Sequence, residues 1–116
     1  MIQRKIPMTV QTELGELYIA FQYDPHREGL PRWSRACIVQ CFPTDDPFRC
    51  TGYTSTGLAR CSSRDHFSRR TGRAIALSRA LTGFSLSVRK GIANWHDTHF
   101  CSLREELEKV GIPWPA

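Results

Sequence analysis

The hydrophobic period of this chain changes once, near Cys61, and that change limits the folds open to it. Upstream, apolar residues recur at every second position, the spacing of a strand that buries one face. "GELYIAFQY" from Gly15 sets Leu17, Ile19 and Phe21 against Glu16, Tyr18 and Ala20, and a weaker alternation over Ile6 to Thr12 precedes it across a turn at Leu14 and Gly15. The stretch from Tyr23 to Arg32, with two prolines and a glycine, reads as a loop. "WSRACIVQC" then places Trp33, Arg35, Cys37, Val39 and Cys41 on one face, with Arg35 the discordant member. "FPTDDPF" is a second turn, and Cys50 to Cys61 is a fourth strand whose Gly52 and Gly57 permit a bulge or bend. Four antiparallel strands in chain order are the simplest arrangement.

Downstream the period becomes helical. Ser62 or Ser63 serves as N-cap, with Asp65 in the first turn facing the positive end of the helix dipole. Phe67, Thr71, Ala74, Ile75, Ser78 and Leu81 then fall in one arc, with Leu77 at its edge, which is the expected core face. Gly72, Ala76 and Ala80 form a small-residue stripe on the other side, bordered by Arg69, Arg73 and Arg79. Glycine costs roughly 0.5–1 kcal/mol in a helix interior, so the stripe implies a close neighbour, either another protomer's helix or an anion held among the arginines. The alternative is an exposed, alanine-rich back face.

Thr82 and Gly83 end this helix. "FSLSVRKG" from Phe84 alternates as a short fifth strand or an extended connection, and "IANWHDTHF" has no clear period. "SLREELEKVG" reads as a second helix: Ser102 and Glu105 make a capping box, Leu103, Leu107 and Val110 share a face, and Glu105 pairs with Lys109. Gly111 supplies the left-handed residue after it, Ile112 folds back on Leu107, and Pro113 stops continuation. The expected class is α+β, an N-terminal antiparallel sheet of about four strands followed by two C-terminal helices. It is read as a single domain over 1–116, with the sheet in about 1–61 and the helical part in about 62–116.

The N-terminus has no signal-peptide core, and the longest apolar run, Leu17 to Phe21, is far below the ~20 residues that span a bilayer. A soluble, cytoplasmic protein is expected. Five cysteines without a CxxC pair argue against a disulfide framework or zinc knuckle and favour reduced, partly buried thiols. The net charge of +5 suits an anionic partner. No phosphate-loop glycine motif, HExxH or Ser-centred elbow is present, so the common hydrolase and nucleotide-hydrolysing classes have no anchor. His96, His99 and Cys101 lack the partner pair a metal site requires, and Asp97 beside the two histidines is explained equally by an acid–base site or by a capped loop.

Arginine is the stronger signal. Six arginines lie between Arg60 and Arg79, and the planar guanidinium fork matches phosphate oxygens two bonds at a time. Lysine is scarce, only Lys5, Lys90 and Lys109, which favours a compact phosphate ligand over a long nucleic acid. The structural alternative is that Glu105, Glu106 and Glu108 neutralise these arginines. Phe84, Asn94 and Trp95 add an aromatic plane and a bidentate amide where helix and loop meet.

"GLARCSSRDHFSRRTGRAIALSRAL", Gly57 to Leu81, resembles the pattern G-x-A-x-C-S-x-x-D-x-F-x-x-x-x-G-R-x-I-A-x-x-R-A-L of small phage-encoded proteins, the first family of Thoeris anti-defence sponges. The resemblance implies a non-catalytic protein that sequesters the cyclic ADP-ribose-type signal of bacterial Thoeris immunity in the infected host cell, and for some members a cyclic oligonucleotide. It implies a sheet followed by helices, and a homodimer that joins into hexamers. It carries ligand contacts onto Phe84 and Asn94, ten residues apart, onto Arg60 before the helix and onto Arg104 near the last helix, while Gly72, Arg73 and Arg79 match the helix motif itself. The resulting expectation is a sponge whose site contains Phe84, Asn94, Arg60, Arg73 and Arg104, without cofactor or metal. A small basic protein acting on nucleic acid or another host macromolecule is the alternative.

Overall fold

The computed structural model describes residues 8–23, 32–41, 54–61 and 69–114. Strands β1 (Thr9–Thr12), β2 (Gly15–Tyr23), β3 (Arg32–Cys41) and β4 (Thr54–Cys61) form one antiparallel sheet in chain order, and helices α1 (Arg69–Ala80), α2 (Leu86–His99) and α3 (Leu103–Lys109) follow. The class is therefore α+β, as the change of period implies. The expected start of β1 at Ile6, the turn at "FPTDDPF", the beginning of the fourth run at Cys50, the caps at Ser62 or Ser63, Asp65 and Phe67 all lie outside the described residues.

The β1–β2 hairpin is closed by chemistry the sequence announces. Gly15 takes φ +97°, which a side chain would resist, and the Thr12 hydroxyl donates to the Gly15 carbonyl at 2.9 Å while accepting from the Leu14 N–H at 3.2 Å. In β2 the inward set is Leu17, Ile19 and Phe21, with Leu17 and Ile19 wholly buried. In β3 the parity is the reverse of the sequence expectation: Ser34, Ala36 and Ile38 are buried, and Trp33 and Arg35 lie on the open face. Register explains the reversal. Ile19 pairs with Ile38 and Phe21 with Ala36, so the inward face of β2 selects the even-numbered residues of β3. Arg35 is then no anomaly: it donates to the Gln22 side chain on the neighbouring strand and lies over the Trp33 ring at 5.6 Å.

Helix α1 lies on β3 and β4, and its small-residue stripe is used there. Ala76 and Ala80 are buried, and a Cβ built on Gly57 would fall 2.0 Å from the Ala76 carbonyl oxygen and 2.5 Å from the Ala80 nitrogen. Helix backbone and strand backbone are in direct contact at that point. Two hydrogen bonds fasten the same end, from the Ser55 hydroxyl to the Ala80 carbonyl at 2.6 Å and from Arg79 Nη1 to the Leu58 carbonyl at 2.6 Å. At Ala76 and Ala80 the close neighbour implied by the stripe is thus the chain's own sheet, met at Gly57. The predicted arc is only half right for the same reason. Ala74 and Leu81 are buried, but so are Ala76, Leu77 and Ala80, while Ile75 and Ser78 are only half-buried, because α1 is covered by the sheet on one side and α3 on another.

Among the described residues there are three helices where two were expected. The alternation of Phe84, Leu86 and Val88 with Ser85 and Ser87 imitates a strand, yet Ser85 is an N-cap whose hydroxyl accepts from the Val88 N–H at 3.3 Å. From there Val88, Ile92, Trp95 and His96 are buried at helical spacing, and Leu86, which completed the apparent alternation, is 44% exposed. α3 follows its sequence signals closely. Ser102 Oγ accepts from the Glu105 N–H at 3.3 Å, Gly111 takes φ +75°, and the Ile112 N–H returns to the Leu107 carbonyl at 2.9 Å. Val110 is exposed, so only Leu103 and Leu107 of the expected face reach the core. Leu17, Ile19, Ile38, Leu77, Leu81, Val88, Ile92, Leu103 and Leu107 make that core, between the sheet and the helices.

Gly57→Ala puts its methyl group against two backbone atoms rather than a yielding side chain. It is expected to destabilise the fold by roughly 2–4 kcal/mol, read as a lower denaturant midpoint at an unchanged slope; a parental midpoint would mean that α1 and β4 are not in backbone contact.

Candidate functional site

The arginines of α1 do not form one cluster. Arg73, half-buried, is drawn into an aromatic knot at the far end of β2. Phe21 stacks on Trp95 with ring centroids 6.2 Å apart and meets Phe100 edge-on at 5.7 Å; Trp95 and Phe100 meet edge-on at 5.5 Å. The Arg73 guanidinium sits 4.3 Å from the Phe100 ring centre, donates from Nε to His96 Nε2 at 3.2 Å, and reaches the Tyr23 hydroxyl at 3.4 Å and Cys101 Sγ at 3.9 Å. Arg69 lies over the Tyr23 ring at 5.2 Å.

His96 is fully buried in α2, not on a half-exposed loop. Its Nδ1 lies 2.8 Å from the Cys101 carbonyl, which can only accept, so Nδ1 carries the proton and Nε2 is the acceptor for Arg73. Burial, then the adjacent Arg73 charge, lower its pKa from 6.5 to about 4, against the raising effects of the Cys101 carbonyl, Asp97 and Glu106. Both ring nitrogens are occupied, and Asp97 Oδ1 accepts from the Leu103 N–H at 2.8 Å at the start of α3. The His96 and Asp97 pair is thereby used in joining α2 to α3. Among the described residues no group of three or more metal-ligating side chains occurs.

Glu106, 3% exposed, is the carboxylate that ties α3 to α1. Burial alone would raise its pKa, but hydrogen bonds with Lys109 at 3.0 Å and the Thr71 hydroxyl at 3.1 Å, with the charges of Lys109 and Arg70, hold it below the ordinary value. Lys109 accordingly pairs with Glu106 and not with the expected Glu105. Arg70 on α1 is near enough for its charge to act on Glu106 as well.

Asn94 and Arg104 do come together. Both line a hollow of about 320 Å³ on the outer side of α2 and α3, shared with Lys90, Asp97, Ser102 and Trp114. Lys90 and Asn94 stand one turn apart on α2, and Arg104 follows the Ser102 cap, so two cations and an amide border one concavity. Its volume is that of a small-ligand site. The remaining expected site residues lie elsewhere. Phe84 is 8% exposed, part of the core, and does not line this hollow. Arg60 is exposed on β4 opposite Trp33, on the sheet face turned away from the helices, and Arg73 is in the aromatic knot. Lys90 and Trp114 were missed by sequence reasoning; the i, i+4 relation of Lys90 to Asn94 becomes visible only once residues 86–99 are read as a helix.

No described helix is long and apolar enough to cross a membrane. Comparison with protein-family models, curated proteins and solved structures finds no match, so no relative supplies roles for these side chains.

A histidine whose pKa is lower folded than unfolded stabilises the fold fully above its unfolded value and progressively less as pH falls toward the folded one. The His96 contribution is therefore lost between about pH 6.5 and about pH 4, up to roughly 3 kcal/mol. Denaturant titrations across that window should show a shallower pH dependence in His96→Gln than in the parent protein; parallel curves would place the lost stability on the carboxylates.

Proposed function

We propose that this chain is a non-catalytic sponge that binds and retains a compact, doubly phosphorylated nucleotide signal of the cyclic ADP-ribose type, or a cyclic oligonucleotide, and so inhibits Thoeris anti-phage defence in the infected bacterial cytoplasm. The observation that carries the reading is the meeting of Asn94 and Arg104 in one hollow with Lys90. The first two are the residues that the family resemblance marks for ligand contact, and they come from different helices.

The hollow suits that task. Lys90 and Arg104 supply charge-assisted donors for a pyrophosphate, and Asn94 offers a donor and an acceptor to a base edge or ribose hydroxyl. Asp97, the one carboxylate among the described lining residues, is engaged by the Leu103 N–H. Phe84 is not the stacking plate in this reading, because its ring is part of the core. Sequestration needs tight binding and slow release only, so no nucleophile or general base is required. The chain acts as a homo-oligomer, dimeric and extending to a hexamer, and Arg60 on the outer sheet face is the element that a second copy would have to bring to the ligand.

Purified protein incubated with cyclic ADP-ribose isomers and cyclic nucleotides, then heat-denatured, is expected to release an intact ligand detectable by mass spectrometry. Asn94→Ala and Arg104→Ala should each weaken capture about tenfold or more without lowering the melting temperature. An altered product would indicate an enzyme. Capture of no small molecule, with nucleic-acid binding that falls steeply as salt rises, would move the function to a macromolecular partner.

A further inference from the structure

Lys90, Asn94 and Asp97 follow one another on α2 at i, i+4 and i+7, so they stand in a row along one face of the helix, with a cation at one end and a carboxylate about 10 Å away at the other. All three line the Asn94 hollow, and Ser102 and Arg104, at the start of α3, add to its polar border. A site for phosphate alone has no use for the carboxylate, which repels the phosphate and offers it no hydrogen bond. A ligand that this lining favours therefore carries hydrogen-bond donors as well as phosphate oxygens.

The role of Asp97 in joining α2 to α3 uses half of the group. Oδ1 accepts from the Leu103 N–H at 2.8 Å, and among the described residues Oδ2 has no hydrogen-bond partner. The bond to Leu103 also fixes the carboxylate against α3, so Oδ2 is held in place before any ligand arrives, as a preorganised site requires. Ser102 supplies the complement. Its Oγ accepts from the Glu105 N–H at 3.3 Å, and among the described residues its proton has no acceptor. A fixed acceptor and a hydroxyl donor, on either side of the Leu103 N–H, match a sugar hydroxyl, which donates one hydrogen bond and accepts others. Trp114, on the same lining, gives an apolar wall for a base.

We infer that Asp97 makes this hollow selective for ribose: Oδ2 accepts from a 2′- or 3′-hydroxyl while Lys90 and Arg104 hold the phosphates. The ligand class is then a ribonucleoside carrying a diphosphate, in preference to free pyrophosphate or a deoxyribonucleotide. The inference rests on reading the Asn94 hollow as the nucleotide site, and it adds to that site the contact that discriminates. Asp97 weakens the hold on phosphate, and the sugar hydroxyl offsets that loss with a charge-assisted hydrogen bond, so a ligand without the hydroxyl meets only the repulsion.

The test is titration calorimetry of the full chain with adenosine 5′-diphosphate, its 2′-deoxy and 3′-deoxy analogues, and inorganic pyrophosphate as separate probes. Adenosine diphosphate should bind with a dissociation constant below about 1 mM, and at least one deoxy analogue about tenfold more weakly. Asp97→Asn keeps an oxygen for the Leu103 N–H and removes the charge. It should bring both deoxy analogues to within about threefold of adenosine diphosphate, and it should bind pyrophosphate about threefold or more tightly than the parent. Damage to the start of α3 would instead weaken every ligand. Equal binding of adenosine diphosphate and both deoxy analogues by the parent would overturn the proposal, as would no binding up to about 1 mM, or pyrophosphate affinity in Asp97→Asn that is unchanged or lower. The two readings fail in different ways. If Asn94→Ala and Arg104→Ala both keep parental affinity for adenosine diphosphate and for the cyclic ligands, the hollow is not the nucleotide site and both fall. If those variants lose the cyclic ligands while the parent binds ribo and deoxy forms alike, only the role of Asp97 falls.

Discussion

The contact on which the rest of this structure depends is the backbone approach of α1 to β4 at Gly57. Ala76 and Ala80 bring the helix down, and the missing side chain of Gly57 lets it arrive. A helix usually stands off a sheet by the depth of two layers of side chains; here one layer is missing at this point. The consequences run outward in order. The Ala80 carbonyl comes within reach of Ser55, and Arg79 reaches the Leu58 carbonyl, so the end of α1 is fixed relative to the sheet. The turn at Thr82 and Phe84 therefore starts α2 from a fixed place, and the Asn94 hollow lies along α2.

The same placement distributes the positive charge. A row of arginines in sequence suggests one cationic surface, but the helix carries Arg69 and Arg73 to Tyr23 at one end and Arg79 to β4 at the other. Arg73 enters a knot of Phe21, Phe100 and neutral His96, where the ring faces and an imidazole acceptor take the place of a carboxylate. Arg69 covers Tyr23, and Arg79 holds a strand carbonyl at the other end of the helix. The imidazole is kept neutral by burial and by the very cation it accepts from, so the arrangement reinforces itself. The acidic residues, meanwhile, are occupied with architecture: Glu106 ties α3 to α1 and Asp97 caps α3.

Local signals were legible wherever a single residue type settles a single local geometry. Gly15 at the hairpin, Ser102 with Glu105 at the start of α3, and Gly111 with Ile112 at its end all do in the fold what their positions in the chain announce. α2 was illegible for an equally local reason. Two serines between three apolar residues form a period-2 pattern, and the cap at Ser85 is recognised only when the buried set Val88, Ile92, Trp95 and His96 is seen from the core. That one misreading also hid Lys90 and so half of the Asn94 hollow. Of the expected site residues, Asn94 and Arg104 share a hollow, while Phe84, Arg60 and Arg73 are carried to the core, the outer sheet face and the aromatic knot.

By itself the sequence determined the class, the order of the strands, the hairpin and the last helix with its caps, because each follows from alternation, glycine conformation or a side chain bonding to backbone within four residues. It also raised a close neighbour for the stripe of Gly72, Ala76 and Ala80, with an exposed back face as the alternative. Only the tertiary structure decided what lies against Ala76 and Ala80, which face of β3 is inside, and where each arginine of α1 is carried. Those outcomes depend on pairing between residues far apart in the chain: the register of Ile38 on Ile19 sets the parity of a strand, and a glycine in β4 sets the depth of a helix that begins twelve residues later. Periodicity is a property of one element, whereas a neighbour is a property of two.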